Sequence, residues 1–190
     1  VPMLSFRSFA GRFSASLLLE SVKNEGNVMI SPASIFLALA MTVNGADGKT
    51  KADMLQVMAD QGVSLEMVNE ASRNWISLLT QNSDKTILAI ANSIWFDQNF
   101  QPDQPFLQRN ADFFKAGARK LDFRDEASPD VINAWVKEAT RGTIPKIVDK
   151  IPASTVMYLI NSVYFKSDWL TPFEKALNRK QTFNTPDGAI

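Results

Sequence analysis

The apolar residues at the start of the chain recur with the period of an α-helix. They are Phe6, Phe9, Ala10, Phe13 and Leu17, which lie at intervals of up to four residues. This spacing predicts an amphipathic helix that ends near residues 24–26. A second helix is predicted after Ser31, because serine is a favoured N-cap and the following Pro32 suits the first helical position. Residues 35–41 are apolar almost all round, so this helix should be buried, and Gly45 should end it.

Further helices are predicted in four places. Thr50 and Asp53 have the spacing of a capping box, with aspartate in place of the usual glutamate, so a helix should begin there. The other three are predicted over residues 64–80, 105–117 and 128–142, and the last of these repeats the serine–proline start.

Two long segments, residues 87–96 and 156–166, are apolar on both alternating faces, which is typical of interior strands covered on two sides. The second would extend about 36 Å, well beyond the usual strand. Each contains a polar amide, Asn92 or Asn161, which needs hydrogen-bond partners if it is buried. With a further strand at residues 118–123, the order of helices and strands predicts a large α+β domain.

Charge and composition exclude several classes of function. Lys and Arg total 20, as do Asp and Glu, and this zero net charge gives no basic field for nucleic acid or an anionic membrane. The chain has no His and no Cys, which excludes a Ser-His-Asp triad, a disulfide and the usual zinc sites, so no metal or cofactor is expected. The longest strongly apolar stretch, residues 35–43, reaches only half of the roughly 18 residues that would indicate a membrane span.

An acidic cluster raises the question of an enzyme with paired carboxylates. It consists of Asp122, Asp125, Glu126 and Asp130. No companion signal accompanies it, so a solvated loop with a helix cap is the better interpretation. A hydrolase of the Ser-Lys type or a glycosidase is therefore the weakest functional hypothesis, and no catalytic residue is assigned.

Four stretches, in the same order, resemble the serpin family. They are NVMISPASI at 27–35 with ALAM at 38–41 and GADGKT at 45–50; ANSIW at 91–95; INAWV at 132–136 with TRGTI at 140–144; and LINSVYFK at 159–166 with Trp169 and Phe173. They resemble, respectively, the passage into helix B, strand 2 of the main sheet, helix F with its exit, and strand 3 with the segment beyond it. One departure is Ser167, which stands where the family usually has glycine and leaves the backbone before Trp169 open.

The resemblance implies the amino-terminal half of the serpin fold, with helices A to F and strands 1, 2 and 3 of main β-sheet A. Residues 1–190 would form the N-terminal portion of a single serpin domain, truncated before the reactive loop, so the reactive bond is not in this chain. The implied function is that of a serine protease inhibitor, a suicide substrate whose reactive loop inserts into the main sheet. The alternative is a non-inhibitory serpin that acts as carrier, storage protein or chaperone. The implied partners are a serine protease and the C-terminal half, and the implied location is secreted or in the cell envelope.

The resemblance also assigns site residues. Ser31, Ser34 and Asn161 match the shutter, Trp169 matches the breach, and Asn133, Trp135, Thr140 and Gly142 match helix F and its exit. Asn161 shares a strand face with Met157, Leu159, Val163 and Phe165, and that face should pack on the helix that begins after Ser31. Taken without the resemblance, Ser31 is a helix cap and Asn161 a structural amide. The helix at 64–80 matches helix D and carries only Arg73 as a basic residue, so activation by heparin is not expected.

Overall fold

The computed structural model describes residues 2–23, 26–58, 62–182, 184–185 and 188–189. The helices are α1 (Pro2–Ser21), α2 (Pro32–Val43), α3 (Gly48–Met58), α4 (Leu65–Leu79), α5 (Gln104–Phe114) and α6 (Ser128–Ala139). The strands are β1 (Thr86–Asp97), β2 (Gly117–Leu121) and β3 (Met157–Ser167), followed by a 3₁₀ turn (Lys175–Leu177) and a short hairpin of β4 (Asn184–Thr185) and β5 (Gly188–Ala189). The predicted α+β class is confirmed, with every predicted helix and strand present in the predicted order.

The main sheet has three strands in the order β2-β1-β3. Strand β2 runs parallel to β1, whereas β3 runs antiparallel along almost the whole of β1, from Thr86 opposite Ser167 to Phe96 opposite Met157. The central position of β1 explains why its sequence is apolar on both faces.

Each face of this sheet is covered by a separate apolar core. Helices α2 to α5 cover one face, where Ile94 and Phe96 of β1 and Leu159 of β3 pack with Leu37 and Met41 of α2. Helix α6 and the segment that follows it cover the other face. The residues of this second core are Trp95, Phe123, Ile132, Val136, Val148, Ile151 and Ile160. The central part of the sheet is therefore buried between two helical layers, whereas β2 and the last residues of β3 are exposed.

Helix α2 begins as the sequence predicts. The hydroxyl of Ser31 accepts a hydrogen bond from the backbone N–H of Ser34, and Pro32 occupies the first helical position. The helix ends at Val43, two residues before Gly45, and Asn44 forms the C-cap. Gly45 allows close packing of α5, because a Cβ there would lie 3.0 Å from the ring of Phe106, which would then have to shift.

The predicted capping box at Thr50 is wrong. Helix α3 begins at Gly48, two residues earlier, so Thr50 already lies inside it. The carboxylate of Asp53 accepts hydrogen bonds from Lys49, one turn before it, at 2.8 and 2.9 Å. The side chain of Asp53, which a capping box would have used, therefore forms an i, i+4 ion pair with Lys49 instead.

The predicted starts and ends of three other helices also need correction. The cap position of α6 is Ala127 rather than Ser128, whose hydroxyl instead donates to the carbonyl oxygen of Asp122 at 2.6 Å. Helix α5 ends at Phe114 because Lys115 adopts a left-handed conformation, with φ at 54°, before Gly117 is reached. Helix α1 ends at Ser21, and the predicted end falls partly on residues 24–25, outside the described residues.

No helix within the described ranges is both long enough and apolar enough to span a membrane.

Candidate functional site

A chain of side-chain hydrogen bonds crosses the centre of the sheet on the face that is covered by α2. The hydroxyl of Ser34 donates to Oδ1 of Asn161. Nδ2 of Asn161 donates to Oδ1 of Asn92 at 2.7 Å, and Nδ2 of Asn92 donates to the carbonyl oxygen of Phe114 at 2.7 Å. The chain thus joins α2, β3, β1 and the end of α5, and each amide uses both its oxygen and its nitrogen.

Strand register and helix capping place these groups together. Asn92 and Asn161 are directly opposite each other in the antiparallel pair of β1 and β3. Ser34 lies in the first turn of α2, where its backbone N–H is held at 3.4 Å by the hydroxyl of Ser31. Among the hydrogen bonds of the described residues, Ser31 is connected to Asn161 only through Ser34. The structure therefore brings the predicted Ser34 and Asn161 into contact and gives Ser31 the position of a helix cap.

The face of β3 that carries Asn161 is covered over only part of its length. Met157 and Leu159 pack on the α2 core, as predicted, whereas Phe165 is 64% exposed. Phe165 was expected on the packed face, and this expectation is wrong for the described residues. The strand extends beyond the helices that cover its first half, so its last residues have no layer above them.

On the opposite face, Asn133 of α6 holds the segment that returns across the sheet. Its Nδ2 donates to the carbonyl oxygen of Val148 at 2.7 Å. Its Oδ1 accepts from the backbone N–H groups of Ile147 and Val148 at 2.9 and 3.0 Å. Because Val148 packs with Trp95 and Ile160 in the core, one buried amide fastens α6 to this returning segment and to the sheet.

The exit from α6 is a tight turn built around Thr140 and Gly142. The hydroxyl of Thr140 donates to the carbonyl oxygen of Val136 at 2.7 Å and accepts from the N–H of Ile144 at 3.0 Å. Gly142 has φ at 84°, in the left-handed region that favours glycine, and its N–H donates to the carbonyl oxygen of Lys137 at 2.7 Å. Trp135 packs edge-on against the buried Trp95, with ring centroids 6.2 Å apart. All four residues assigned to helix F therefore contribute to how α6 lies on the sheet or leaves it.

The segment around Trp169 lies at the far end of β3. Trp169 is 72% exposed and packs edge-on against the exposed Phe173, with ring centroids 5.6 Å apart. Before it, Ser167 continues the strand, pairs with Thr86 and shares a hydroxyl hydrogen bond with that residue at 2.7 Å. Ser167, which stands where the family usually has glycine, therefore forms an ordinary end of strand β3. Trp169 lies outside the chain of hydrogen bonds that contains Asn161.

Three carboxylates, those of Asp97, Asp122 and Asp125, accept backbone N–H groups in turns. The backbone N–H groups of Asn99 and Phe123 donate to Asp97 and hold the pKa of its carboxyl below the ordinary value. In the acidic cluster, Asp122 and Asp125 accept backbone N–H groups two residues ahead of them, as loop and cap residues do. The described residues contain no group of three or more Asp or Glu side chains placed to hold a metal ion.

Sequence reasoning identified Asn92 as a buried amide that needs partners but did not pair it with Asn161. A signal was present in the two strand segments, because each carries a single asparagine, followed by a serine, in a mostly apolar run. If β1 and β3 are paired so that the asparagines are opposite each other, both amides find a partner. The satisfaction of buried polar groups could therefore have fixed this register.

Comparison with known proteins identifies the family to which the chain belongs. The model of the family described as serpin (serine protease inhibitor) matches residues 7–190. The chain is 36% identical to glia-derived nexin of Rattus norvegicus over 172 residues, which cover 85% of this chain and 41% of the nexin. The chain belongs to the serpin family, which confirms the resemblance found in the sequence.

Solved structures agree with this assignment. Tengpin, a thermophilic serpin, matches in its native state with a TM-score of 0.86 at 42% identity, over 95% of this chain and 46% of tengpin. A loop C-sheet serpin polymer matches with a TM-score of 0.89 at 42% identity, over 97% of this chain and 49% of that one. The structure thus has the fold of the amino-terminal half of a serpin. The chain spans about half the length of the relatives that it matches.

Proposed function

We propose that this chain is the N-terminal portion of a single serpin domain whose full-length protein inhibits a serine protease as a suicide substrate. The observation that carries the proposal is the chain of hydrogen bonds from Ser34 through Asn161 to Asn92. It ties the edge strand β3 to α2 and β1 at the middle of the sheet. Such a tie controls how easily β3 can move, and β3 borders the place where an inserted strand would be added.

In the proposed reaction, the protease attacks a peptide bond in the reactive loop, which lies beyond residue 190. The serine oxygen of the protease forms an ester with the loop, and the newly cut amine leaves. The loop then adds as a strand beside β3 and carries the attached protease with it. Distortion of the protease oxyanion hole slows hydrolysis of the ester, and each tenfold slowing corresponds to about 1.4 kcal/mol of barrier.

Within this proposal, the described chain supplies parts that move and no catalytic group. Ser34, Asn161 and the cap Ser31 would form the shutter, and the exposed Trp169 would lie at the breach. Helix α6, fastened through Asn133, would have to shift to let β3 separate from the strand beyond it. No step uses a metal or cofactor. A location outside the cytoplasm stays a prediction.

We do not expect heparin to accelerate inhibition. On α4, Arg73 is paired with Glu70 and lies 5.3 Å from the ring centroid of Phe113, and the same helix carries Glu66. This helix lacks the row of free cations that would bind a polyanion. A heparin-dependent rise in the association rate that disappears at high salt would contradict this expectation.

The experiment that tests the proposed function mixes the full-length protein with trypsin-like, chymotrypsin-like and subtilisin-like proteases. At least one protease should form a complex that survives denaturing electrophoresis, because the ester is covalent. A protease whose active-site serine is blocked beforehand serves as control and should form none. If every active protease only cleaves and releases the protein, the result contradicts the proposal and favours the non-inhibitory alternative of carrier, storage protein or chaperone.

A further inference from the structure

A groove lies on the α6 side of the sheet, on the face opposite the proposed shutter. It is a shallow groove, open to solvent, with a volume of about 490 Å³. The lining residues are Arg119 of β2 together with Asp130, Val131, Ala134, Trp135 and Glu138 of α6. The proposed function uses none of the charged residues of this groove.

The helix side of the groove carries two carboxylates with an apolar surface between them. Asp130, Ala134 and Glu138 follow one another at intervals of four residues and lie along one face of α6. The two carboxylate residues are therefore eight residues apart, which corresponds to about 12 Å along the helix axis. Neither carboxylate forms a salt bridge in the part of the chain that the structure describes. The guanidinium of Arg119 lies 5.4 Å from the ring centroid of Trp95 on the neighbouring strand β1. It therefore extends towards the middle of the sheet and away from the outer edge of β2.

The strand side of the groove ends in an open edge. The carbonyl oxygen of Leu121 accepts from the N–H of Gln98, which follows β1, at 2.7 Å. Because backbone groups of successive strand residues point to opposite edges, Ala118 and Lys120 direct their N–H and C=O groups away from β1. Strand β2 has no second neighbour among the described strands. An open row of backbone donors and acceptors thus lies beside a groove whose two carboxylates form no salt bridge in the described part of the chain, and the charge of Lys146 acts on one of them, Asp130.

We infer that β2 and this groove bind an extended peptide of a partner protein that carries basic side chains four residues apart. The peptide adds to β2 as a strand, and its residues i, i+2 and i+4 face the groove. Four strand residues span about 13 Å, so a peptide aligned with α6 would place its two basic side chains at the spacing of Asp130 and Glu138. The residue between the two basic ones lies against Ala134 and Val131 and is small and apolar. A second copy of β2 does not provide this pattern, because its residues on the corresponding face are Gly117, Arg119 and Leu121, with one basic side chain instead of two.

The charge part of this inference is tested with a fluorescein-labelled peptide, Thr-Arg-Thr-Val-Thr-Arg-Thr, blocked at both ends and titrated against the full-length protein by fluorescence anisotropy. We expect saturable binding that weakens about threefold in each of Asp130→Asn and Glu138→Gln and about tenfold in the double variant. Glu126→Gln removes a nearby carboxylate outside the groove and should leave the affinity unchanged. The inference is overturned if this peptide does not bind, if the double variant binds it equally well, or if a peptide with Glu in place of both Arg residues binds as tightly.

The strand part is tested with a peptide in which proline replaces the two inner Thr residues. This peptide keeps both charges but cannot donate its inner backbone hydrogen bonds, so its binding should weaken at least tenfold. Ala118→Pro removes a donor on the open edge of β2 and should weaken the original peptide, provided that its circular dichroism matches that of the parent. Equal affinity for the proline peptide would show attraction by charge alone and would overturn strand addition. The outcome is independent of protease inhibition, which the variants in the groove should leave intact.

Discussion

At the residue scale, Asn161 is hard to replace because both the oxygen and the nitrogen of its side-chain amide form hydrogen bonds. Replacement with Ala removes the acceptor of the Ser34 hydroxyl and the donor to Asn92 Oδ1, and it leaves two polar groups short of a partner. The loss should cost about 1–3 kcal/mol of unfolding free energy. In the proposed function it should also speed conversion of the full-length protein to latent or polymeric forms on mild heating, with the rate of protease association nearly unchanged. Native gels and stopped-flow association rates measure the two effects.

Two further variants decide whether loss of the Ser34–Asn161 hydrogen bond causes the effects of Asn161→Ala. Ser34→Ala breaks the same bond, so the effects of Ser34→Ala and Asn161→Ala should be clearly less than additive in the double variant. Asn178→Ala removes an exposed amide and serves as control. If correctly folded Asn161→Ala protein converts to latent and polymeric forms at the parental rate, Asn161 is an ordinary structural amide.

Asp97 gives a prediction about pH. Donation from the N–H groups of Asn99 and Phe123 lowers the pKa of its carboxyl in the folded protein. Its contribution to stability is therefore complete above the unfolded pKa of about 3.9 and is lost as the pH falls through the lower folded value. Asp97→Asn should lower the urea midpoint of the full-length protein at pH 7, and the difference from the parent should shrink at pH 3. A difference that is constant from pH 7 to pH 3 would show that the charge of Asp97 has no part in it, and exposed Asp84→Asn provides the control.

At the scale of elements, sequence periodicity was sufficient for the order of helices and strands and for the burial of α2 and β1. It failed where a side chain had a choice of local partners. Asp53 pairs with Lys49 instead of capping a helix at Thr50, and Ser128 binds the carbonyl oxygen of Asp122 instead of capping α6. These competing bonds have similar strength and spacing, so the sequence pattern alone could not rank them.

The candidate site could be predicted only in part, for a related reason. Ser34 and Asn161 were identified through the family resemblance, whereas the role of Asn92 depends on strand register. Asn92 lies 69 residues before Asn161 and meets it only because β3 pairs with β1 in one alignment. A one-residue slip of β3 would turn Asn161 to the α6 face, so tertiary packing of both faces sets the contact.

Helix α6 depends on Asn133 for its connection to the segment that returns across the sheet. Asn133→Ala removes three hydrogen bonds at a buried position, which should lower the unfolding free energy by about 1–3 kcal/mol. The local effect should exceed the global one. Hydrogen exchange of the Ile147 and Val148 amides should accelerate strongly, while exchange within β1 changes little. Unchanged protection at these two amides would contradict the fastening role of Asn133, and Asn178→Ala again serves as control.

At the scale of the whole molecule, one cluster of exposed apolar side chains lies along and beyond β3. Strand β3 has β1 as its single neighbour among the described strands, and the exposed side chains there are Phe165, Trp169, Leu170, Phe173 and Leu177. An open strand edge next to such a surface favours association. In the proposed function, the remainder of the serpin domain covers this surface and supplies the reactive loop.

We therefore predict that residues 1–190 expressed alone do not inhibit any protease that the full-length protein inhibits, and that they associate into oligomers. Size-exclusion chromatography should show concentration-dependent oligomers, and 1-anilinonaphthalene-8-sulfonate should bind strongly to the exposed surface. Lys and Asp substitutions at Phe165 and Phe173, which add charge next to the open edge, should reduce association without creating inhibition. Adding the separately expressed C-terminal portion should compete for the same surface and suppress the oligomers. A stable monomer of residues 1–190 that forms a covalent complex with a protease would refute both the prediction and the assignment of the reactive loop to residues beyond 190.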